Sequence, residues 1–233
     1  MQRSHWLLFF SLSAPVLAVG LLLTGCKDIG TGPAGPDENV HLSVQAAGSV
    51  TQHKPSHEVL HITSVKVLIK RIAFGQATSD DSSDVHSGPL VVDLNLEAKM
   101  TILTAARIRP GTYDRIRFDL HKPEDDEIPS DPVFRVGSSG DQRFSVVITG
   151  VYHDAPFTFT SRESARQQLL LDAPAVIPES GTVNVTIKVD PYAWFSSGEL
   201  VYDPVLQTRE IDDRIKASFA LAFRDNDRNG NPD

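Results

Sequence analysis

Val59–Phe74 reads VLHITSVKVLIKRIAF. The stretch contains neither glycine nor proline and is rich in β-branched residues. Such residues lose side-chain freedom in a helix and fit the pleated surface of a sheet. Val65, Val67 and Ile69 recur at every second place, the period of a strand with one buried face. The decisive reading is therefore a long β-strand.

The same period extends in both directions. Val40, Leu42 and Val44 alternate with polar residues. Leu90–Leu96 and Thr112–Leu120 read as further strands. The second of these puts Ile116, Phe118 and Leu120 on one face and Arg115 and Arg117 on the other. Phe144–Tyr152, Phe157–Thr160, Gln168–Leu171 and Thr182–Val189 continue the pattern. The breaks at Ser79–Pro89, Lys122–Pro132, Gly137–Asp141 and Pro178–Gly181 carry turn-forming residues. Many short strands of this kind predict an all-β chain, a β-sandwich over residues 40–207.

Residues 208–233 are expected to be a helix followed by an acidic tail rich in Asp and Asn. Ile211, Ile215, Phe219 and Phe223 stand four apart, so the helix is expected to cover an open end or edge of the sandwich. Asp203-Pro204 would start it. Tyr192, Trp194, Phe195 and Tyr202 cluster in PYAWFSSGELVYDP, residues 191–204. Exposed, they would stack on a sugar or grip a partner; the favoured reading is a plug in the sandwich core.

The front of the chain is different. Met1–His5 is polar with one cation, Arg3, and Trp6–Leu23 is mostly apolar. Leu23-Thr24-Gly25-Cys26 ends the run. This is the layout of a secretory signal, residues 1–25. Pro15 and Gly20 interrupt it, and no basic cluster follows, which argues against a permanent span. Leu23–Cys26 resembles the bacterial lipobox. The resemblance implies cleavage before Cys26, a diacylglyceryl thioether on its sulfur and an acyl chain such as palmitate on its amine. Residues 26–39 (CKDIGTGPAGPDEN) are too rich in Gly, Pro and charge to bury much, and read as a flexible tether. Lys27 after the cysteine leans towards the outer rather than the inner membrane, with the body periplasmic or surface-facing.

Cys26 is the single cysteine, so lipidation leaves no thiol and no disulfide. The net charge is −8 and becomes more negative once Arg3 is removed. An acidic chain without a basic stripe is a poor nucleic-acid binder. It also has no electrostatic attraction for anionic lipid, so membrane attachment falls to the acyl chains.

His57-Glu58-Val59-Leu60-His61 matches the H-E-x-x-H motif of zinc peptidases, where one helix face presents both histidines and the glutamate acts as base. His53 extends the spacing. The sequence that follows is strand-like, and on a strand His57 and His61 stand about 13 Å apart, too far for one zinc ion. The zinc-hydrolase reading is kept as an alternative. Asp225-Asn226-Asp227-Arg228-Asn229-Gly230-Asn231-Pro232-Asp233 resembles the first nine positions of the calcium loop of EF-hands and thrombospondin type 3 repeats. The resemblance implies Asp225, Asp227, Asn229, the Asn231 carbonyl and Asp233 as calcium ligands. Position twelve, the bidentate acid, falls after Asp233, so weak calcium binding and a solvated tail both stay open. The clusters Asp80, Asp81, Asp84 and Glu124–Glu127 read as solvated loops. The sequence carries no G-x-S-x-G elbow, P-loop or dinucleotide fingerprint.

Arg107–Phe118, RIRPGTYDRIRF, is similar to the L-x-P-G-x-Y-x-x-I-R-L segment of uncharacterised envelope lipoproteins. Those proteins carry an immunoglobulin- or transthyretin-like domain of unknown function. The resemblance spans roughly residues 40–190 and implies a fold, not catalytic residues. The expectation is a non-enzymatic, lipid-anchored binding or structural module that meets an envelope protein or glycan.

Overall fold

The computed structural model describes residues 37–47, 59–76, 82–217 and 219–233. The signal, Cys26, most of the tether, and His53, His57 and Glu58 lie outside these residues. The expected all-β architecture is met. One curled, mixed sheet folds around a single main core, with a short helix at its side.

The long strand of the sequence is β2, Leu60–Gln76. β3 (Ser82–Asp93) pairs along its Lys66–Gly75 portion. β6 (Val146–Tyr152) pairs with Leu60–Val67, and β5 (Gly111–Leu120) with Ile69–Gln76. The remaining strands are β1 (Val40–Ala46), β4 (Thr101–Ala106), β7 (Ala155–Ser161), β8 (Ala165–Ile177), β9 (Val183–Val189), the small β10–β11 hairpin (Ser196–Ser197 and Leu200–Val201) and β12 (Phe219–Arg224). The main order is β4-β1-β9-β12-β8-β5-β2-β6-β7. β1–β9 and β12–β8 are parallel, and the other pairs are antiparallel.

Val65, Val67 and Ile69 face the main core as their spacing requires. A register shift between Ile69 and Arg71 then changes the phase, and Ile72 and Phe74 take over the inward positions. An added residue in one strand does this, because side chains alternate with period two. Leu68 points the other way, into a small cluster with Phe134 and Val147. On β5, Ile116, Phe118 and Leu120 are buried as expected.

Two strands depart from the sequence reading. Ser79–Pro89 looked like a break, yet β3 begins at Ser82. The free edge of β2 supplies backbone partners, which outweigh the weak propensity of a polar segment. Gly88 (φ 106°) and Pro89 sit where the β2–β3 register skips, the place where a residue without an N–H is tolerated. The helix also ends earlier than its spacing suggested. After α1 (Pro191–Trp194), α2 spans Thr208–Ala217 and buries Ile211 and Ile215. Phe219 and Phe223 instead belong to β12, inserted between β9 and β8. A spacing of four suits a strand as well as a helix, and pairing with β9 decides between them; a register shift after Phe219 then turns Phe219 and Ala222 to the main core, while Phe223 stands opposite Thr186. Residues 208–233 are thus built into the body rather than appended to it.

Of the four aromatics expected to plug the core, Tyr192 and Tyr202 are half-buried against it. Trp194 and Phe195 are fully buried, with Phe195 5.8 Å from Phe157 and 5.7 Å from Phe159 between ring centres. Tyr113, two residues beyond the Pro110-Gly111 turn, is also fully buried. Its hydroxyl donates to the Arg109 carbonyl (2.8 Å) and lies 3.0 Å from Ser83 Oγ, so it staples the turn to β3. Its ring meets Phe74 edge-on at 5.9 Å. We expect Tyr113→Phe to cost about 1 kcal/mol, the usual worth of such a bond. Phe74→Ala should cost about 3–5 kcal/mol through cavity formation. Urea unfolding of the two variants measures both.

Candidate functional site

β1 (VHLSVQA) and β9 (VNVTIKV) would each present one polar face to water if period two alone ruled. Their apolar residues do line the core, but His41, Ser43, Asn184 and Thr186 are buried as well. The cover on that second face includes the C-terminal residues that follow β12. Asn184 donates from Nδ2 to the Asp225 carbonyl (2.8 Å), and its backbone N–H donates to Asn226 Oδ1 (3.1 Å). Ser43 Oγ donates to Asn184 Oδ1 (3.1 Å). Arg228 hydrogen-bonds His41 Nδ1. Gly230 (φ 80°) lies so close to Gln45 that a Cβ there would stand 2.5 Å from its side-chain oxygen.

Asp225 anchors this loop and is fully buried. Its carboxylate accepts from Thr186 Oγ1 (2.9 Å), the Asn229 N–H (2.9 Å) and the Gly230 N–H (3.1 Å). Asp227 accepts from the Asn229 N–H (3.2 Å) and from Asn229 Nδ2 (2.7 Å). Asn229 Oδ1 accepts from the Asn231 N–H (2.8 Å). Asp233 accepts from the Asn226 N–H (2.9 Å) and lies 3.4 Å from Arg224 Nε. One carboxylate oxygen from each of Asp225, Asp227 and Asp233 lies within 4.8 Å of the other two. Three of the five proposed ligands are therefore brought together as carboxylates. Asn229 and Asn231 enter through the hydrogen bonds that close the loop. Like charges so close repel, and a hard cation with oxygen ligands would relieve that repulsion.

A second acidic group has a different character. His121 Nε2 lies 3.4 Å from Glu124 and 3.6 Å from Glu127. Lys70 Nζ already stands 2.5 and 3.3 Å from the same two acids. Its ammonium occupies the electrostatic role a metal would take, and its hydrogen bond holds the Glu124 carboxyl below its ordinary pKa. The sequence reading left these acids to solvent; Lys70 ties them to β2.

His61 is an exposed residue of β2, opposite Val151 of β6. A single helix turn carrying both His57 and His61 is incompatible with that position. The polar residues beneath the C-terminal loop were not foreseen. Their H-x-S and N-x-T alternation is the ordinary signature of a solvent face, and only the fold-back of a remote segment buries it.

No protein-family model matches the chain, and no match to a curated protein was found. Among solved structures, MbnP from Methylosinus trichosporium aligns over 71% of this chain and 81% of that chain, at 8% sequence identity and a TM-score of 0.39. A likeness of this degree leaves function to be argued from the chain's own residues.

Burial, and then the neighbouring Arg228, push the His41 pKa down against the opposing pull of Glu38. Burial does the same to His86. The unfolded chain therefore binds these protons first. Stability is full above the unfolded histidine pKa of about 6.5 and falls as the pH drops below it. Urea midpoints between pH 7.5 and 5 should show this decline, and His41→Gln should make it shallower.

Asp225→Ala takes the acceptor from the Thr186 hydroxyl and the Gly230 N–H and leaves the Asn229 N–H with Asp227 alone, and should cost about 2–4 kcal/mol. Asp227→Asn, at an exposed position, should cost under about 0.5 kcal/mol. If the loop holds calcium, millimolar calcium raises the melting temperature of the parent chain and the Asp227→Asn variant loses most of that rise. An identical melting curve with and without calcium rejects the site.

Proposed function

We propose that this chain is a lipid-anchored protein of the bacterial cell envelope whose β body is a non-enzymatic binding or structural module. The observation that carries the proposal is Leu23-Thr24-Gly25-Cys26, placed at the end of an apolar leader and before a Gly- and Pro-rich tether. Processing before Cys26 leaves that residue at the new N-terminus, acylated on sulfur and amine. Two or three chains meet or exceed the two anchoring signals that stable attachment needs. The tether meets the body at Asn39, whose buried carboxamide bonds both the N–H (2.9 Å) and the carbonyl (3.0 Å) of Ile108.

The similarity of Arg107–Phe118 to envelope lipoproteins with immunoglobulin- or transthyretin-like domains supports the same reading. So does the acidic charge, which leaves acyl chains as the means of membrane attachment. Lys27 favours the outer membrane, and the body would meet an envelope protein or glycan in the periplasm or at the surface. The position of His61 in β2 counts against the alternative of a zinc hydrolase.

Expression with labelled palmitate tests the anchor. The parent chain should take up label and sediment with membranes, and Cys26→Ser should take up none. Unlabelled parent chain, or equal labelling of Cys26→Ser, contradicts the proposal.

A further inference from the structure

The solvent face of β2, β5 and β8 carries an ordered set of guanidinium groups. In one cross-strand row Arg71 stands opposite Asp119 and Asp119 opposite Arg166. In the next row Ala73 stands opposite Arg117 and Arg117 opposite Gln168. Because β2 contributes only a methyl group in this second row, the face is hollowed there. The hollow has a volume of about 310 Å³ and is lined by Arg71, Ala73, Ser82, Arg117, Phe118, Asp119, Arg166 and Gln168, the carboxylate of Asp119 being held by Arg166. That lies at the small end of ligand pockets, about 300–1,000 Å³.

The charges in the wall are not balanced. Arg71 donates from Nε and Nη2 to Asp84 (2.9 and 2.7 Å). Arg166 donates from Nε to Asp119 (2.8 Å). Arg117 lies between the two pairs, and its Nε donates to a neutral acceptor, Gln168 Oε1 (2.9 Å). Among the described residues no carboxylate pairs with it. Its orientation is set, among the described residues, by this one bond, and its positive charge and its Nη donors stay uncommitted. Ser82, a neutral hydroxyl residue, belongs to the same wall. A planar fork of donors beside further guanidinium groups matches an oxyanion. Such a concentration of cations stands out on a chain of net charge −8.

We propose that this hollow binds the oxyanion group of a small ligand, a carboxylate or a phosphate, with Arg117 as its principal anchor. The inference rests on the binding-module reading above and gives it a ligand class. It does not involve the lipid. Palmitate labelling and membrane partition report on the anchor alone, so the failure of either idea leaves the other standing.

The test is calorimetric titration of the full chain, solubilised in mild detergent at low ionic strength, with glucuronate, inorganic phosphate and uncharged glucose. Saturable binding of at least one anion, without binding of glucose, is the expected result. A preference for glucuronate assigns the site to an acidic sugar, and a preference for phosphate assigns it to a phosphoryl group. Arg117→Gln should weaken binding about tenfold or more, as loss of a charge-assisted bond requires. Arg166→Gln should weaken it less, and the exposed Arg209→Gln should leave it unchanged, all three at the parent's melting temperature. Added salt should weaken binding by screening. Failure of both anions to bind saturably, equal binding of glucose, or full affinity in Arg117→Gln overturns the proposal.

Discussion

The whole body depends on the pairing of β12 into the gap between β9 and β8. On one side of that gap stand β4, β1 and β9; on the other stand β8, β5, β2, β6 and β7. Without β12 the two groups would face each other with unpaired backbone along β8 and β9, and unpaired buried backbone groups are costly. β12 pairs with β9 from Phe219 to Arg224 and meets β8 at Ala222, opposite Leu171. Its core-facing residues, Phe219 and Ala222, join the main cluster. Phe219 stacks edge-on against Phe118 at 4.5 Å and lies 6.2 Å from Trp194. The C-terminal strand therefore closes the ladder and helps to fill the core.

That closure also explains the carboxylate loop. β12 runs antiparallel to β9, so its end at Arg224 lies beside Val185, near the start of β9. The parallel pairing of β9 with β1 puts Val183 beside Val40, the first residue of β1. Asp225–Asp233 thus folds back onto the end of the sheet where β1 and β9 begin, over His41, Ser43 and Asn184. The aromatic plug around Trp194 and Phe195 follows β9 and lies at the opposite end. The arginine hollow sits on a third surface, the outer face of the β2–β5–β8 region. The fold keeps a loop-covered end, a packed end and a charged side face apart.

Much of this architecture was legible from local pattern. Val65, Val67, Ile69, Ile116, Phe118 and Leu120 declare their faces by period two, and Pro110-Gly111 marks its turn. Three things were not legible, for different physical reasons. β3 has little strand propensity of its own and forms because β2 offers it an edge. Phe219 and Phe223 stand at a spacing that both periodicities satisfy, and only tertiary pairing separates them. The burial of Asn184 and Thr186 follows from a segment about forty residues downstream folding back, which no window of local sequence encodes. For the sites, the D-x-D-x-N-G motif did mark the residues whose carboxylates converge. Arg117, by contrast, read as an ordinary solvent-facing residue, since its lack of an acidic partner among the described residues depends on the register of three strands.

The most direct test of this account is the cooperativity of urea unfolding in a chain that stops after Ala217, compared with the full chain. Loss of the single sharp transition, with β9 and β8 amides exchanging freely, is the result expected if β12 holds the two groups of strands together. A truncated chain that unfolds with an unchanged midpoint and steepness would contradict the account.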